Sequence, residues 1–182
     1  MQKSSFLNYG ANSWFERNKS SVFNYKIENH KIISLLKFYK QNPDNILKFG
    51  CIDGYRLNGL KNVFPNTNVF GIEPSLNAIE FGKQKYSSVN FNHGTADDIS
   101  CYEDAQFDVV ILGFVLYGID RSILFKSIAE MDRVVKNKGD LIRIDFFTET
   151  ALKKIIIILK ILVPIRLSRI IITYSVLQNF II

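Results

Sequence analysis

Gly50, Cys51 and Gly54 sit in the run ILKFGCIDGYRLNGL (residues 46–60), where an apolar stretch gives way to a helix-like pattern. Glu73 follows 19 residues after Gly54, at the end of a second apolar stretch, NVFGIE. Glycine lets a backbone bend closely around a ligand, and an acid closing a second strand can accept hydrogen bonds from both hydroxyls of a ribose. The chemistry open to this set is recognition of an adenosine. A dinucleotide loop of the form G-x-G-x-x-G is not present, since the segment reads Gly50-Cys-Ile-Asp-Gly54. NAD and a dehydrogenase are therefore the weaker reading.

The elements around these residues alternate. SWFERNKSSVFNYKIENHKIISLLKFYK has apolar residues at helical spacing (Val22, Ile27, Ile32, Ile33, Leu35, Leu36, Phe38), and QNPD breaks the pattern at Pro43. NILKFG reads as a buried strand, YRLNGLKNVF as a helix ending near Pro65, NVFGIE as a strand, LNAIEFGKQKY as a helix and VNFNHG as a third strand. FDVVILGF is β-branched and apolar, as suits a strand buried on both faces. RSILFKSIAEMDRVV is amphipathic, NKG is expected to turn the chain, and DLIRIDFF makes a fifth strand. Strands alternating with helices predict an α/β, Rossmann-like, doubly wound and mostly parallel sheet. Ligands of such sheets bind at the carboxyl ends of the strands, near the switch point.

Composition narrows the classes. The chain has 182 residues, 47% of them hydrophobic, enough for one domain with its own core. Two cysteines, Cys51 and Cys101, suggest no disulfide framework, and His30 and His93 belong to no zinc-site spacing. The N-terminus lacks the apolar core of a signal peptide, so a cytoplasmic, metal-free protein is expected. The net charge of +6 is concentrated in the tail: residues 151–182 hold five basic residues (Lys153, Lys154, Lys160, Arg166, Arg169) and no acid. The body is close to neutral, which disfavours nucleic acid as a partner.

ILKFGCIDGYRLNGL, VFGIEPS, GTADDI and FDVVILGFVLYGIDRSILFKSIAEMDRVVKNKGDLIRIDF together resemble the class I S-adenosylmethionine-dependent methyltransferases, over roughly residues 12–147. WFERN, near the start, is similar to the leading segment of some bacterial members. The resemblance implies S-adenosylmethionine as cofactor. Gly50, Cys51 and Gly54 would form the loop against the methionyl and ribose portions, and Glu73 would hold the ribose. Ala96 and Asp97, with Thr95 beside them, would meet the adenine edge. Gly113 would lie near the methionyl carboxyl. Cys51 reads as a small packing residue rather than a nucleophile.

The reaction implied is displacement of the sulfonium methyl by an acceptor nucleophile, which demands chiefly alignment and exclusion of water. Tyr117, Asp120 and His93 are conceivable contributors, none of them a firm general base, and a lone histidine is more often structural. An NPPY-type signature of amide or adenine-amino methylation is missing; the segment reads GFVLY. The acceptor stays open.

Two positions depart from the family pattern. Lys48 stands where an acid usually faces the methionyl ammonium. A like charge at about 5 Å costs roughly 3 kcal/mol at an effective dielectric of 20, unless the long stem swings its head to solvent. Ile52 occupies a position usually given to a small residue, and a positive φ there would strain a β-branched side chain. Impaired cofactor affinity is expected. An active small methyltransferase and a truncated, non-catalytic remnant with weak or no cofactor binding both remain as readings.

The division expected is a methyltransferase-like domain with leading helices over 1–147 and an atypical Ile-rich basic tail over 148–182. The tail has eleven isoleucines in residues 151–182, but Lys160, Pro164, Arg166 and Arg169 interrupt it before a transmembrane span accumulates. It does not resemble the helix and antiparallel hairpin that complete the family's sheet, so the sheet is expected to be incomplete at its C-terminal strands. A frameshift near residues 147–153 would account for the change. The tail could cover the sheet, pair with its edge or contact a membrane surface, and its β-branched runs favour poor solubility.

Overall fold

The computed structural model describes residues 6–23, 31–39, 42–147 and 169–176. A π-helical turn, Phe6–Gly10, leads into α1 (Ala11–Phe23) and α2 (Lys31–Phe38). Then follow β1 (Asn45–Phe49), α3 (Tyr55–Val63), β2 (Asn68–Glu73), α4 (Leu76–Lys85), β3 (Val89–His93), β4 (Phe107–Gly113), α5 (Leu124–Val134), β5 (Val135–Phe147) and β6 (Arg169–Val176). The strand order is β3-β2-β1-β4-β5-β6, and every neighbouring pair is parallel. This is the doubly wound sheet expected from the alternating pattern.

The strands read as apolar runs because both faces are covered. Leu47 and Phe49 of β1 pack with Val110, Leu112 and Leu141 against Leu124, Ile128, Met131 and Val134 of α5. The opposite face joins Ile46, Val69, Val109, Ile111 and Ile142 to Ile32, Ile33 and Leu36 of α2 and Leu57 and Leu60 of α3. Phe38, placed on the apolar stripe of α2 by its spacing, is instead 77% exposed at the end of that helix. Two-residue alternation puts Ile46 and Lys48 on the α3 side of the sheet.

NKG does not turn the chain. Val135 enters the strand directly from α5, and Asn137-Lys138-Gly139 lie inside β5. Between the Phe107↔Val135 and Val109↔Asp140 pairs, β5 advances five residues while β4 advances two, so the extra length forms a bulge. Lys138 takes a φ of 66° there. The turn-like composition was real, but the strand absorbs it.

The tail also contributes to the sheet. β6 pairs parallel with β5 from Asp140↔Arg169 to Phe147↔Val176, so the β5 edge carries a partner strand. The expectation was a sheet left incomplete after β5; one parallel strand, β6, stands at that edge. The proposed frameshift junction at 147–153, apart from Phe147, and the Lys153–Arg166 basic cluster lie outside the described residues. Among those described, no helix is long and apolar enough to cross a membrane.

Candidate adenosine-binding crevice

Register brings the site residues to one edge of the sheet. Phe49, the last residue of β1, pairs with Ile72 on one side and Leu112 on the other. Glu73 and Gly113 thus end β2 and β4 one residue beyond it, on either side of the loop at 50–54. The chain reverses from β1 toward both neighbours here, which is the switch point.

The loop is built from three left-handed residues: Gly50 at φ 61°, Ile52 at φ 56° and Gly54 at φ 76°. Glycine adopts this region freely, whereas for isoleucine it is a genuine outlier. Gly50 N–H donates to Ile72 O at 2.9 Å, and Ile52 N–H donates to Glu73 Oε2 at 2.8 Å. Gly54 caps α3, and its carbonyl accepts from Asn58 N–H at 2.9 Å. A Cβ at Gly54 would run into the Phe91 ring, and one at Gly50 would meet Val115 Cγ2 at 2.8 Å. Phe114, just past β4, also has a positive φ of 56°. Left-handed non-glycine residues thus follow both β1 and β4.

Glu73 is buried, and its other oxygen accepts from Ser75 N–H at 2.9 Å. Burial pushes its carboxyl up from the ordinary value, opposed by the two backbone donors and by Lys48. Two amides use only part of a carboxylate's capacity of about four lone-pair sites.

Cys51 lies beneath the loop rather than in the crevice. A Cβ on Gly71 would collide with its sulfur, and burial raises the thiol's pKa well above the usual range. This agrees with a packing role. Ala96 packs with Phe49, Ile72 and Leu112. The buried Asp97 accepts from Thr95 Oγ1 at 2.7 Å, and Gly94 N–H ties the exit of β3 to Glu73 O at 3.2 Å. Those residues therefore flank Glu73 on the β3 side, while Gly113 lies on the β4 side.

Lys48 does not swing to solvent. It is 2% exposed, and its Nζ donates to Gly50 O at 2.6 Å and Phe49 O at 3.2 Å. The head is 3.4 Å from where a Gly113 Cβ would stand. Those two carbonyls hold the ammonium at the carboxyl end of β1, so the escape expected of a long side chain is not taken. Burial, helped by Arg56, lowers its pKa to about 8, against the raising influence of Cys51 and Glu73.

Other contributors were less legible. Asn12 of α1 accepts from Ser75 Oγ at 2.8 Å and from Asn77 N–H at 3.3 Å, fixing the start of α4 beside Glu73. Asp53 is fully buried and accepts from Tyr55 N–H at 3.2 Å. The Asp-Gly pair before a helix was a usable signal for that turn; nothing local marked Asn12. His93 is exposed, with Nε2 3.1 Å from Pro74 O, and Asp120 Oδ1 accepts from Ser122 N–H at 3.1 Å. Both contacts are structural; the side chain of Tyr117 lies outside the described residues. An open cleft of about 480 Å³ runs along β3 between Phe70, Asn90, Asn92, Tyr102 and Gln106, and shares no residue with the crevice.

Comparison with known proteins gives the family and the fold. The sequence profile described as Methyltransferase domain matches residues 47–143, more than half of the chain. The demethylmenaquinone methyltransferase of Staphylococcus aureus is 38% identical over 82 residues, covering 43% of this chain and 33% of that protein. The chain therefore spans about a third of the curated relatives it matches. An amino pentose methyltransferase from Micromonospora echinaspora, solved with SAM bound, superposes with a TM-score of 0.60 at 16% identity, over 74% of this chain and 57% of that one. A TehB-like SAM-dependent methyltransferase from Corynebacterium glutamicum gives 0.55 at 19% identity, over 75% and 70%. At these identities the superpositions speak to the fold.

Proposed function

This chain belongs to the methyltransferase-domain family, and on that premise we propose that it binds an S-adenosyl compound against Glu73 and the 50–54 loop while holding the methionyl end weakly. The observation that carries the reading is the Glu73 carboxylate, bonded at 2.8 Å to Ile52 N–H and placed at the switch point with acceptor capacity to spare. Gly50, Gly54, Glu73, Ala96, Asp97 and Gly113 are the proposed cofactor-binding residues, with Cys51 contributing only its backbone, since its side chain lies beneath the loop. The adenosyl half fits this cradle. The methionyl ammonium does not fit, because Lys48 already presents a cation to the Gly50 carbonyl.

The activity proposed is methyl transfer to an acceptor not yet identified, with residues 1–147 as the working domain and 148–182 as an appended tail. The S. aureus relative's acceptor is not carried over, since the match covers a third of that protein. A second reading, a remnant without turnover, is favoured by Lys48 and by the left-handed Ile52 occurring in one loop.

Calorimetry with S-adenosylmethionine at neutral pH tests the proposal. A dissociation constant weaker than micromolar is expected; micromolar or tighter binding overturns the impairment. A Lys48→Glu, Ile52→Gly double variant that restores tight binding places the defect in the loop. If binding still fails, the C-terminal portion is at fault. The gene's nucleotide sequence tests the tail's origin: an alternative frame encoding ordinary methyltransferase strands supports a frameshift, and its absence removes that idea.

A further inference from the structure

β3 is an edge of the sheet: it pairs with β2 on one side, and among the described residues no strand pairs with the other. Gly94 N–H donates to Glu73 O at 3.2 Å, which fixes the alternation of this parallel ladder. Asn90 and Asn92 therefore turn their backbone groups toward β2, whereas Phe91 and His93 turn theirs outward. Edge strands are ordinarily blunted by a charge, a proline or a bulge. The strand VNFNH has no charged residue and no proline, and its register with β2 runs unbroken from Val89 to His93.

The open cleft of about 480 Å³ straddles this edge. Lys83 of α4 lines it on one face of the sheet, and Tyr102 and Gln106, from the chain leading into β4, line it on the other. Phe91 packs toward the α3 side and Phe70 toward the α5 side, so both faces of the sheet reach the cleft. Its carboxamides have polar ends to spare. Asn90 Nδ2 donates to Val69 O at 3.2 Å and Asn92 Nδ2 to the Tyr102 hydroxyl at 2.8 Å, which leaves each Oδ1 for a further donor. Among the described residues lining the cleft, Lys83 is the only charged one, and it is exposed.

We propose that this trough docks an extended segment of a partner protein, added to the sheet as a strand beside β3, with a carboxylate toward Lys83 and hydroxyl side chains toward Asn90 and Asn92. The backbone groups of Phe91 and His93 supply the ladder, and the two-residue alternation of the added strand matches the two walls. A second copy of this chain is the poorer occupant. Antiparallel pairing of the two β3 edges about a two-fold axis would keep both α4 helices on one side of the joined sheet, and so bring the Lys83 walls together with like charge. The inference does not rest on the adenosyl reading, because the cleft shares no residue with that crevice.

Amide shift mapping and hydrogen exchange of the full chain test this with a capped heptapeptide carrying threonine at its odd positions and valine, glutamate and valine at its even ones. Saturable shifts are expected on Phe91 and His93, whose amides should exchange more slowly with peptide bound. N-methylating one alternate set of the peptide's amides should abolish binding, and methylating the other set should spare it, because a strand pairs through one edge at a time. Lys83→Glu should weaken binding about fivefold, and should favour by a similar factor the peptide with lysine in place of glutamate. No saturable binding at millimolar peptide, shifts away from β3, equal loss with both methylated sets, or an affinity unmoved by Lys83→Glu overturns the inference. So does a dimer, seen by sedimentation, in which the Phe91 and His93 amides are protected without peptide.

Discussion

Glu73 Oε2 accepts the Ile52 amide at 2.8 Å, so the acid at the end of β2 fastens the loop at the end of β1. Its second oxygen holds Ser75 N–H, the residue that caps α4 through an Ala78 N–H bond of 3.1 Å. One carboxylate thus joins loop, strand and helix. Glu73→Ala leaves the buried Ser75 amide and the half-buried Ile52 amide without a partner and should lower stability by about 2 kcal/mol, and Glu73→Gln by about 1 kcal/mol. Urea unfolding checks both, and both variants should lose nucleoside binding.

Ile52 carries strain that its neighbours do not. A left-handed L-residue costs about 1–2 kcal/mol, and glycine's greater unfolded-state freedom takes back about half of that. Ile52→Gly should therefore stabilise by about 0.5–1 kcal/mol, while Ile52→Val, still β-branched, should not. Denaturation midpoints of the two variants separate these outcomes.

Lys48 makes stability depend on alkaline pH. Its folded pKa of about 8 lies below the ordinary 10.5, so between these values the unfolded chain binds the proton more firmly. Stability should then rise with pH across that window, by about 3 kcal/mol at most relative to Lys48→Met. Arg56 on α3 pushes in the same direction as burial, and Cys51 and Glu73 oppose it. Cys51, with its raised pKa, disfavours the fold as pH climbs past 9; the comparison with Lys48→Met largely removes that effect. Unfolding curves from pH 7 to 10.5 give the slope and its sign.

Gly82 on α4 provides the close approach that seats the loop. A Cβ there would collide with the Asp53 carbonyl oxygen and stand 2.6 Å from Phe91 Cζ. Backbone cannot yield as a side-chain tip does, so Gly82→Ala should destabilise by about 2–3 kcal/mol. Thermal unfolding should show the loss, and amide exchange should quicken at 51–54.

Much of this arrangement was legible because β1, β2 and β4 are buried on both faces and their apolar runs end in glycine or acid. Gly50, Glu73 and Gly113 follow directly from those ends. The direction of the Lys48 head was not legible, since it depends on two carbonyls whose orientation the loop fixes. Asn12 was hidden for a similar reason: it reaches Ser75 across 63 positions of sequence. Asn137-Lys138-Gly139 has turn composition yet lies within β5, because a bulge and a turn want the same residues. The isoleucine run showed strand propensity in the tail but could not give the parallel pairing of β6, which is set by the register of β5.

The central claim is that an adenosine binds against Glu73 and the 50–54 loop that it fastens. Amide shift mapping of the full chain titrated with 5′-methylthioadenosine tests it most directly. The largest shifts should fall on Gly50, Ile52, Glu73 and Asp97. Shifts confined to the β3 cleft around Asn90 and Tyr102, or no shifts at millimolar ligand, would contradict it.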